Sequence, residues 1–277
     1  MKIRFLLVCL IFLSSTVKAN NFFHPKASPD GQHVAFYGYV NKVPDIFILD
    51  MTNHKITQFT KTKSNWEIEP RWLNNHTISY ASGKDMRHLK MVKTSITQLN
   101  EQDFAQFESM QFPVGPESDK GVLLMNRKKS DGWQIQSVGD QTIGQNFISG
   151  WIGHQINWHR KQVLVTDGFK IHFTSLNGNS TETLYESNNP LSFPSWHESD
   201  NLLLFIKKVE GKSDIWAKDM LTDSVIQITK DGLVKYSPQW LRKKRWIIVA
   251  KQVGDVIDIV ALNEKGELVT NFTKALR

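Results

Sequence analysis

A repeat that recurs every 38 to 45 residues is the feature that most constrains how this 277-residue chain can fold. Three copies carry a proline followed 20 residues later by an aspartate, in the pairs Pro25 and Asp45, Pro194 and Asp214, and Pro238 and Asp258. Each copy contains four short runs of β-branched and aromatic residues separated by turn-forming Gly, Asn, Asp and Ser. Four strands in a period of about 40 to 45 residues are typical of one blade of a β-propeller.

Weaker copies fill the interval between the strong ones. Pro70 and Pro113 begin the second and third copies, and the fourth is anchored near Ile156 without a proline. Six copies therefore cover the chain after its first 20 or so residues. We predict an all-β fold, a six-bladed β-propeller of four-stranded antiparallel blades. It would occupy residues 20–277 as one domain.

The two ends of the repeat array predict how the ring closes. The first copy supplies its own first strand at residues 22–26, and the last copy supplies its own last strand at 268–273. We therefore expect that no strand is exchanged between the ends.

Tryptophan recurs two residues after the anchor position of four copies, as Trp72, Trp158, Trp196 and Trp240. A large aromatic side chain at a fixed position of a repeat is predicted to wedge between neighbouring blades. A sugar-stacking platform is the alternative function for the same residues.

The N-terminus is typical of an export signal. Lys2 and Arg4 precede an apolar run at residues 5–13, and small residues follow up to Ala19. An apolar run of this length is too short for a membrane-spanning helix, which needs about 20 residues. We predict a signal peptide at 1–19, cleavage after Ala19, no transmembrane anchor afterwards and a periplasmic location. Cys9 is the only cysteine, so the mature chain would form no disulfide.

The net charge of +7 falls to about +4 once Lys2, Arg4 and Lys18 leave with the signal. This mild excess, in an exported chain without a nucleic-acid-binding motif, indicates that nucleic acid is not the partner.

The sequence offers no catalytic constellation. It has no Gly-x-Ser-x-Gly turn for a nucleophile and no glycine-rich phosphate loop, so we predict no catalytic residue and no cofactor. The nine histidines form no pair with the spacing of metal ligands, so no metal site is predicted either. His24, Glu69 and His154 each precede an innermost strand, however, and could converge at the channel mouth. There they would be either hydrated loop ends or ligands of a divalent ion.

Three segments carry a resemblance to a known family, namely Ser28-Pro29-Asp30-Gly31, the run at 45–50 and Glu69-Pro70-Arg71-Trp72. They resemble the repeats of the C-terminal propeller of TolB, the periplasmic component of the Tol-Pal envelope system, and similar repeats occur in prolyl-oligopeptidase-type peptidases. TolB-like proteins also have an α/β domain and a TolA-contacting segment before the propeller, and neither is expected here.

The resemblance implies a partner site. In TolB the mouth of the propeller channel receives the lipoprotein Pal, through residues just before the first strands of certain blades. The matching positions here are Asn21, His24, Ile68 and Glu69.

The predicted function is therefore an exported protein-binding or scaffold module of the cell envelope, with a Pal-like lipoprotein as the partner that the resemblance implies. Two alternatives stay open. One is a channel-site enzyme, such as a metal-dependent lyase or hydrolase acting on a glycan. The other is a carbohydrate or small-ligand sensor of the envelope.

Overall fold

The computed structural model describes most of the chain after residue 20. The described residues are 21–40, 42–85, 88–98, 102–106, 111–114, 123–129, 132–138, 148–149, 152–157, 160–176, 179–197 and 200–276. The predicted signal peptide at 1–19 and Trp158 lie outside them.

Antiparallel meanders of four consecutive strands make up the fold, and we name five of them blades A to E. Blade A contains β1 (Phe22–Ala27), β2 (His33–Val40), β3 (Val43–Asp50) and β4 (Ile56–Gln58). Blade B contains β5 (Trp66–Trp72), β6 (Thr77–Gly83), β7 (Leu89–Ser95) and β8 (Gln102–Gln106). A reduced sheet follows, with β9 (Gln111–Pro113), β10 (Leu123–Lys129), β11 (Gly132–Val138) and β12 (Ile148–Ser149).

The remaining three blades follow in chain order. Blade C contains β13 (Ile152–Asn157), β14 (Gln162–Thr166), β15 (Lys170–Ser175) and β16 (Thr181–Glu186). Blade D contains β17 (Leu191–His197), β18 (Leu202–Val209), β19 (Lys212–Asp219) and β20 (Val225–Gln227). Blade E contains β21 (Lys235–Leu241), β22 (Trp246–Val253), β23 (Val256–Leu262) and β24 (Leu268–Asn271). Short 3-10 turns cover Arg242–Lys244 and Lys274–Leu276.

The all-β propeller class is confirmed, but the predicted count of six blades is wrong, because the fold has five. Five blades have inner strands of six or seven residues. The third repeat pairs its strands in the same order, yet its inner strand β9 has three residues and β12 has two. It carries neither an aspartate 20 residues after its anchor nor a tryptophan two residues after it.

The core lies between neighbouring blades, because alternate residues of a strand point to opposite faces of its sheet. Val34 and Phe36 of β2 pack against Ile248 and Ile259 of blade E, whereas Ala35 between them packs against blade B. Each large apolar side chain buried in this way contributes about 1.5–3 kcal/mol. The blades are therefore stabilised mainly by packing face to face against their neighbours.

The described tryptophans confirm the predicted wedge. Trp72 of blade B is buried, and its indole N–H donates to the carbonyl of Lys26 in blade A at 2.8 Å. Trp196 of blade D packs edge-on against Phe173 of blade C, with 5.8 Å between ring centroids. Trp240 of blade E donates to Asp200, in the loop of blade D, at 2.6 Å. Each tryptophan thus contacts the preceding blade.

The constant proline-to-aspartate interval has a structural cause. The carboxylates of Asp45, Asp214 and Asp258 are buried at the start of the third strand and accept a hydroxyl bond from a threonine after the fourth, at 3.2, 2.7 and 2.9 Å. The same threonine hydroxyl accepts the backbone N–H that follows the aspartate, for example from Ile46 at 2.9 Å. This network fastens the fourth strand to the third. The aspartate must occupy the same position of the third strand in each blade to form it, which keeps its distance from the anchor proline constant.

The ring closes without a shared strand, as expected. β1 pairs only within blade A and β24 only within blade E. The seam is instead held by Phe22, which is buried in the core between these blades, and by Asn21. The side-chain oxygen of Asn21 accepts the N–H of Ile257 at 2.9 Å, and its carbonyl accepts the N–H of Tyr39 at 3.0 Å.

Candidate functional site

A β-bulge in the inner strands creates the candidate site. In four blades the strand register shifts at the residue before the anchor proline, and that residue has a positive φ of 48° to 55°. These residues are His24, Glu69, Phe193 and Ser237. Proline has no N–H to give to the neighbouring strand, so a bulge at this position costs the ladder no further bond. In blade C the register shifts around His154.

The bulges place side chains from distant blades in contact. The ring of His24 lies 5.3 Å from that of Phe193 and 6.0 Å from that of Tyr236, measured between centroids. Blade E lies between blades A and D in the ring, and its Tyr236 contacts both His24 and Phe193, so the three rings meet on the inner side of blade E. We call the neighbourhood of His24, Phe193 and Tyr236, together with the side chains described below that adjoin it, the channel site.

The structure brings together two of the four predicted partner-site residues. His24 Nδ1 contacts Glu69 Oε1 directly, joining blades A and B at the channel. Ile68 instead lies in the core between the same two blades, with 5% of its surface exposed. Asn21 lies at the seam between blades A and E, where its side chain is engaged with Ile257.

Arg71 completes an ion-pair chain that sequence reasoning missed. Its Nη2 lies 3.3 Å from Glu69 Oε2, and its Nη1 donates to the carbonyl of Pro70 at 2.9 Å. Arg71 was visible in the Glu-Pro-Arg-Trp motif. Its role was not, because only the bulge at Glu69 shows that residues two apart turn toward one another.

Lys26 is the second cation that the sequence did not single out. It is half-buried on β1. Burial, and next the positive charge of Arg71, hold the pKa of Lys26 well below its usual value, while Glu69 partly opposes this. No described residue accepts a hydrogen bond from its ammonium group.

The carboxylate of Glu69 remains ionised in this setting. Burial by itself raises the pKa of Glu69, but His24, Arg71 and Lys26 outweigh it and bring the pKa down to about 2. A fixed negative charge therefore lies between three basic side chains.

His154, on β13 of blade C, is a fourth basic side chain in this neighbourhood. The backbone of Gly153 is fixed by Asn126 of the reduced sheet, which accepts its N–H and donates to its carbonyl, both at 2.8 Å. Burial, followed by the charges of Lys26 and Arg71, holds the pKa of His154 well below its usual value. Its buried Nε2 has no hydrogen-bond partner. His24 and Glu69 are in contact, and His154 lies close enough for their charges to act on it.

His24, Glu69 and His154 are not arranged as ligands of one metal ion. The described residues contain no group of three or more His, Cys, Asp or Glu side chains arranged to hold a metal ion. Nor does that part of the chain contain a helix long and apolar enough to span a bilayer.

Comparisons with known proteins agree on the fold. No family model matches the chain, and no curated protein matches it by sequence. The structure is similar to that of a protein assigned as TolB from Agrobacterium tumefaciens, with a TM-score of 0.64, 14% identity, and 82% of this chain and 87% of the other covered. The chain has a TolB-like propeller fold.

Other solved structures share the TolB-like propeller. The propeller domain of the Trilobed protease from Pyrococcus furiosus, described as having an open velcro topology, matches with a TM-score of 0.60 and 13% identity, covering 92% of this chain and 84% of that one. An oligogalacturonate lyase from Vibrio parahaemolyticus matches with a TM-score of 0.57 and 10% identity, covering 88% and 78%. At these identities the likeness concerns the fold, and function depends on the residues of the site.

Proposed function

We propose that this chain is an exported TolB-like propeller that acts as a protein-binding module of the cell envelope, with the channel site as its point of contact. His24 and Glu69 would touch the partner directly. Asn21 and Ile68 would contribute by holding the blade interfaces that position them. A Pal-like lipoprotein is the partner that the family resemblance suggests.

One observation carries the proposal: three polar side chains in direct contact, His24, Glu69 and Arg71, are held on the inner strands of blades A and B. The side chain of His24 is 20% exposed and that of Glu69 is 11% exposed, so a visiting group can reach them. Charged groups fixed on a stiff scaffold give orientation and specificity to recognition, because little has to reorganise on binding.

Site-specific photo-crosslinking tests the proposal. A benzoyl-phenylalanine at Phe193 places the reactive group beside His24 in the channel, whereas the same residue at Leu221, 78% exposed at the outer edge of blade D, is a matched control. In cells we expect one product of defined mass from position 193 and none from 221. Glu69→Lys, which reverses the central charge, should reduce the yield. Equal products from both positions would contradict a channel-directed partner.

Export is tested separately. The proposed signal peptide at 1–19 would leave Asn20 as the first residue of the mature chain. Mass spectrometry of protein released from the periplasm should give the mass of residues 20–277. Recovery of the full-length chain in the cytoplasmic fraction alone would rule out the export part of the proposal.

A second candidate function is favoured by Lys26 and His154. A half-buried lysine whose pKa is lowered, beside a carboxylate and an unpaired imidazole, has the properties of a general base. The similar fold of the oligogalacturonate lyase suggests acidic oligosaccharides as the first substrates to try. Formation of an unsaturated product that is lost in Lys26→Met would support this function over simple binding.

A further inference from the structure

The channel site contains more basic than acidic side chains. Among the described residues, Lys26 and Arg71 are two cations around the single carboxylate of Glu69, and His24 already uses the other oxygen of that carboxylate. When Lys26 is protonated, one negative charge therefore balances the site, even with both histidines neutral.

Unused nitrogen atoms mark where that charge would bind. Nε of Arg71 and Nε2 of His154 are buried without a hydrogen-bond partner. The ammonium of Lys26 likewise has no acceptor among the described residues. Buried polar groups in folded proteins are nearly always hydrogen bonded, so the two buried nitrogens indicate a site for an acceptor. Lys26 and Arg71 both lie close enough to His154 for their charges to act on it, which brings the three basic side chains into one neighbourhood.

Two aromatic side chains lie beside His24 and favour one kind of acceptor. Phe193 and Tyr236 pack 5.9 Å apart, between ring centroids, and both lie against His24. Aromatic faces of this kind suit a short aliphatic stem. A doubly charged phosphate would be repelled by Glu69, whereas one carboxylate balances the excess.

We propose that the channel site binds the carboxylate of an acidic side chain of the partner protein. The carboxylate would lie between Lys26, Arg71 and His154, with its methylene stem against the rings of Phe193 and Tyr236. This inference rests on the proposed function, since it names the group that the partner inserts. The bound carboxylate accepts hydrogen bonds from Lys26, which has no acceptor among the described residues, and from Arg71, whose one anionic partner there is Glu69. Charge-assisted bonds of this kind are shorter and stronger than neutral ones.

The site would take up a proton on binding. The anion stabilises the charged form of Lys26, whose pKa is lowered in the free protein. Affinity should therefore fall as pH rises through the pKa of Lys26 in the free site. The other titratable or charged groups that face Lys26 are Arg71, Glu69, His24 and His154, with Tyr37 and Tyr236 beside them.

The test uses the whole mature protein and two capped tetrapeptides that differ only in a central glutamate or glutamine. Binding is followed by the histidine ring signals in proton NMR, since His24 and His154 lie in the site. We expect saturable binding of the glutamate peptide at millimolar concentration, and binding at least about tenfold weaker for the glutamine peptide. Equal affinity for the two, or no saturable binding of the glutamate peptide, overturns the inference.

Variants assign the effect to the site. Lys26→Met should weaken binding of the glutamate peptide by about tenfold or more, and Lys26→Arg should keep it within about threefold. Lys55→Met removes the same charge from an exposed position of blade A and should leave the affinity unchanged. An unchanged affinity in Lys26→Met overturns the inference, and the arginine variant guards against a loss caused by misfolding.

Galacturonate is the third probe. If it binds with dependence on Lys26 and the glutamate peptide does not, the carboxylate arrives on a saccharide and the assignment to a protein side chain is overturned. The crosslink at position 193 separates a failure of the proposed protein-binding function from a failure of the proposed carboxylate ligand. If the crosslink forms but the two tetrapeptides bind equally, the carboxylate inference fails and the protein-binding function stands. If no crosslink forms, the protein-binding function itself fails.

Discussion

Two lysines on inner strands of the same propeller have opposite environments. Lys235 on β21 is fully buried, and its ammonium lies 2.5 Å from Asp231, 3.4 Å from Asp214, and 2.8 and 3.0 Å from the carbonyls of Leu233 and Ser213. Lys26 on β1 is half-buried and has no acceptor among the described residues. A lysine whose donors are all used holds blades together, while one with unused donors is available to a ligand.

The largest effect is expected from Lys235→Met. The substitution leaves Asp214 and Asp231 without the cation between them, and breaking a buried pair in this way costs about 3–5 kcal/mol of unfolding free energy. Urea unfolding followed by tryptophan fluorescence measures it. Lys26→Met is the matched control, because it makes the same change on another inner strand. A loss of less than about 1 kcal/mol at Lys235 would remove the distinction between the two lysines.

Acidification should affect the Lys235 cluster to a smaller extent. Burial alone raises the pKa of Asp231, but Lys235 and Lys251 outweigh it and lower the pKa from 3.8 to about 2. The unfolded chain therefore takes up a proton more readily in this window, and stability falls as pH drops from 3.8 to 2. Since the carboxylate is about one-third exposed, we expect a loss of about 1–2 kcal/mol.

Asp231→Asn is the variant that checks this pH dependence. Its unfolding free energy should be lower than that of the wild type at neutral pH and should change less between pH 4 and pH 2, by about the same 1–2 kcal/mol. Parallel pH curves for the two proteins would show that Asp231 is not the group that titrates.

The smallest stability effect is expected from Lys26→Met. Methionine has a similar length and removes a partly desolvated charge that has no protein acceptor, so the free energy of unfolding should stay unchanged or rise by about 1 kcal/mol. The same urea experiment measures it. A fall of about 2 kcal/mol or more would mean that Lys26 has a structural role like that of Lys235.

The repeat pattern predicted most of the fold for identifiable reasons. The interval between Pro25 and Asp45 recurs because the bulge of the inner strand and the carboxylate lock of the third strand occupy fixed places in each blade. The third repeat was overcounted as an equivalent blade. Pro113 and short apolar runs marked it in sequence, but neither shows whether an inner strand extends beyond three residues.

The channel site was predictable only in part. His24 and Glu69 could be placed by their position before the anchor prolines, and His154 by its place before an innermost strand. Lys26 could not, because a lysine after a proline is ordinary in sequence and its environment depends on residues of another blade. Ile68 shows the converse, since it neighbours Glu69 in sequence and points into the core.

The bulged position before each anchor proline has a consequence for how such proteins diverge. Histidine, glutamate, phenylalanine and serine all occupy the same left-handed backbone geometry here, in blades that are otherwise alike. The framework requires the bend and tolerates different side chains on it. Single substitutions at these positions can thus change what the central opening recognises, from charged to aromatic to small, while the aspartate locks and tryptophan wedges that maintain the ring stay untouched.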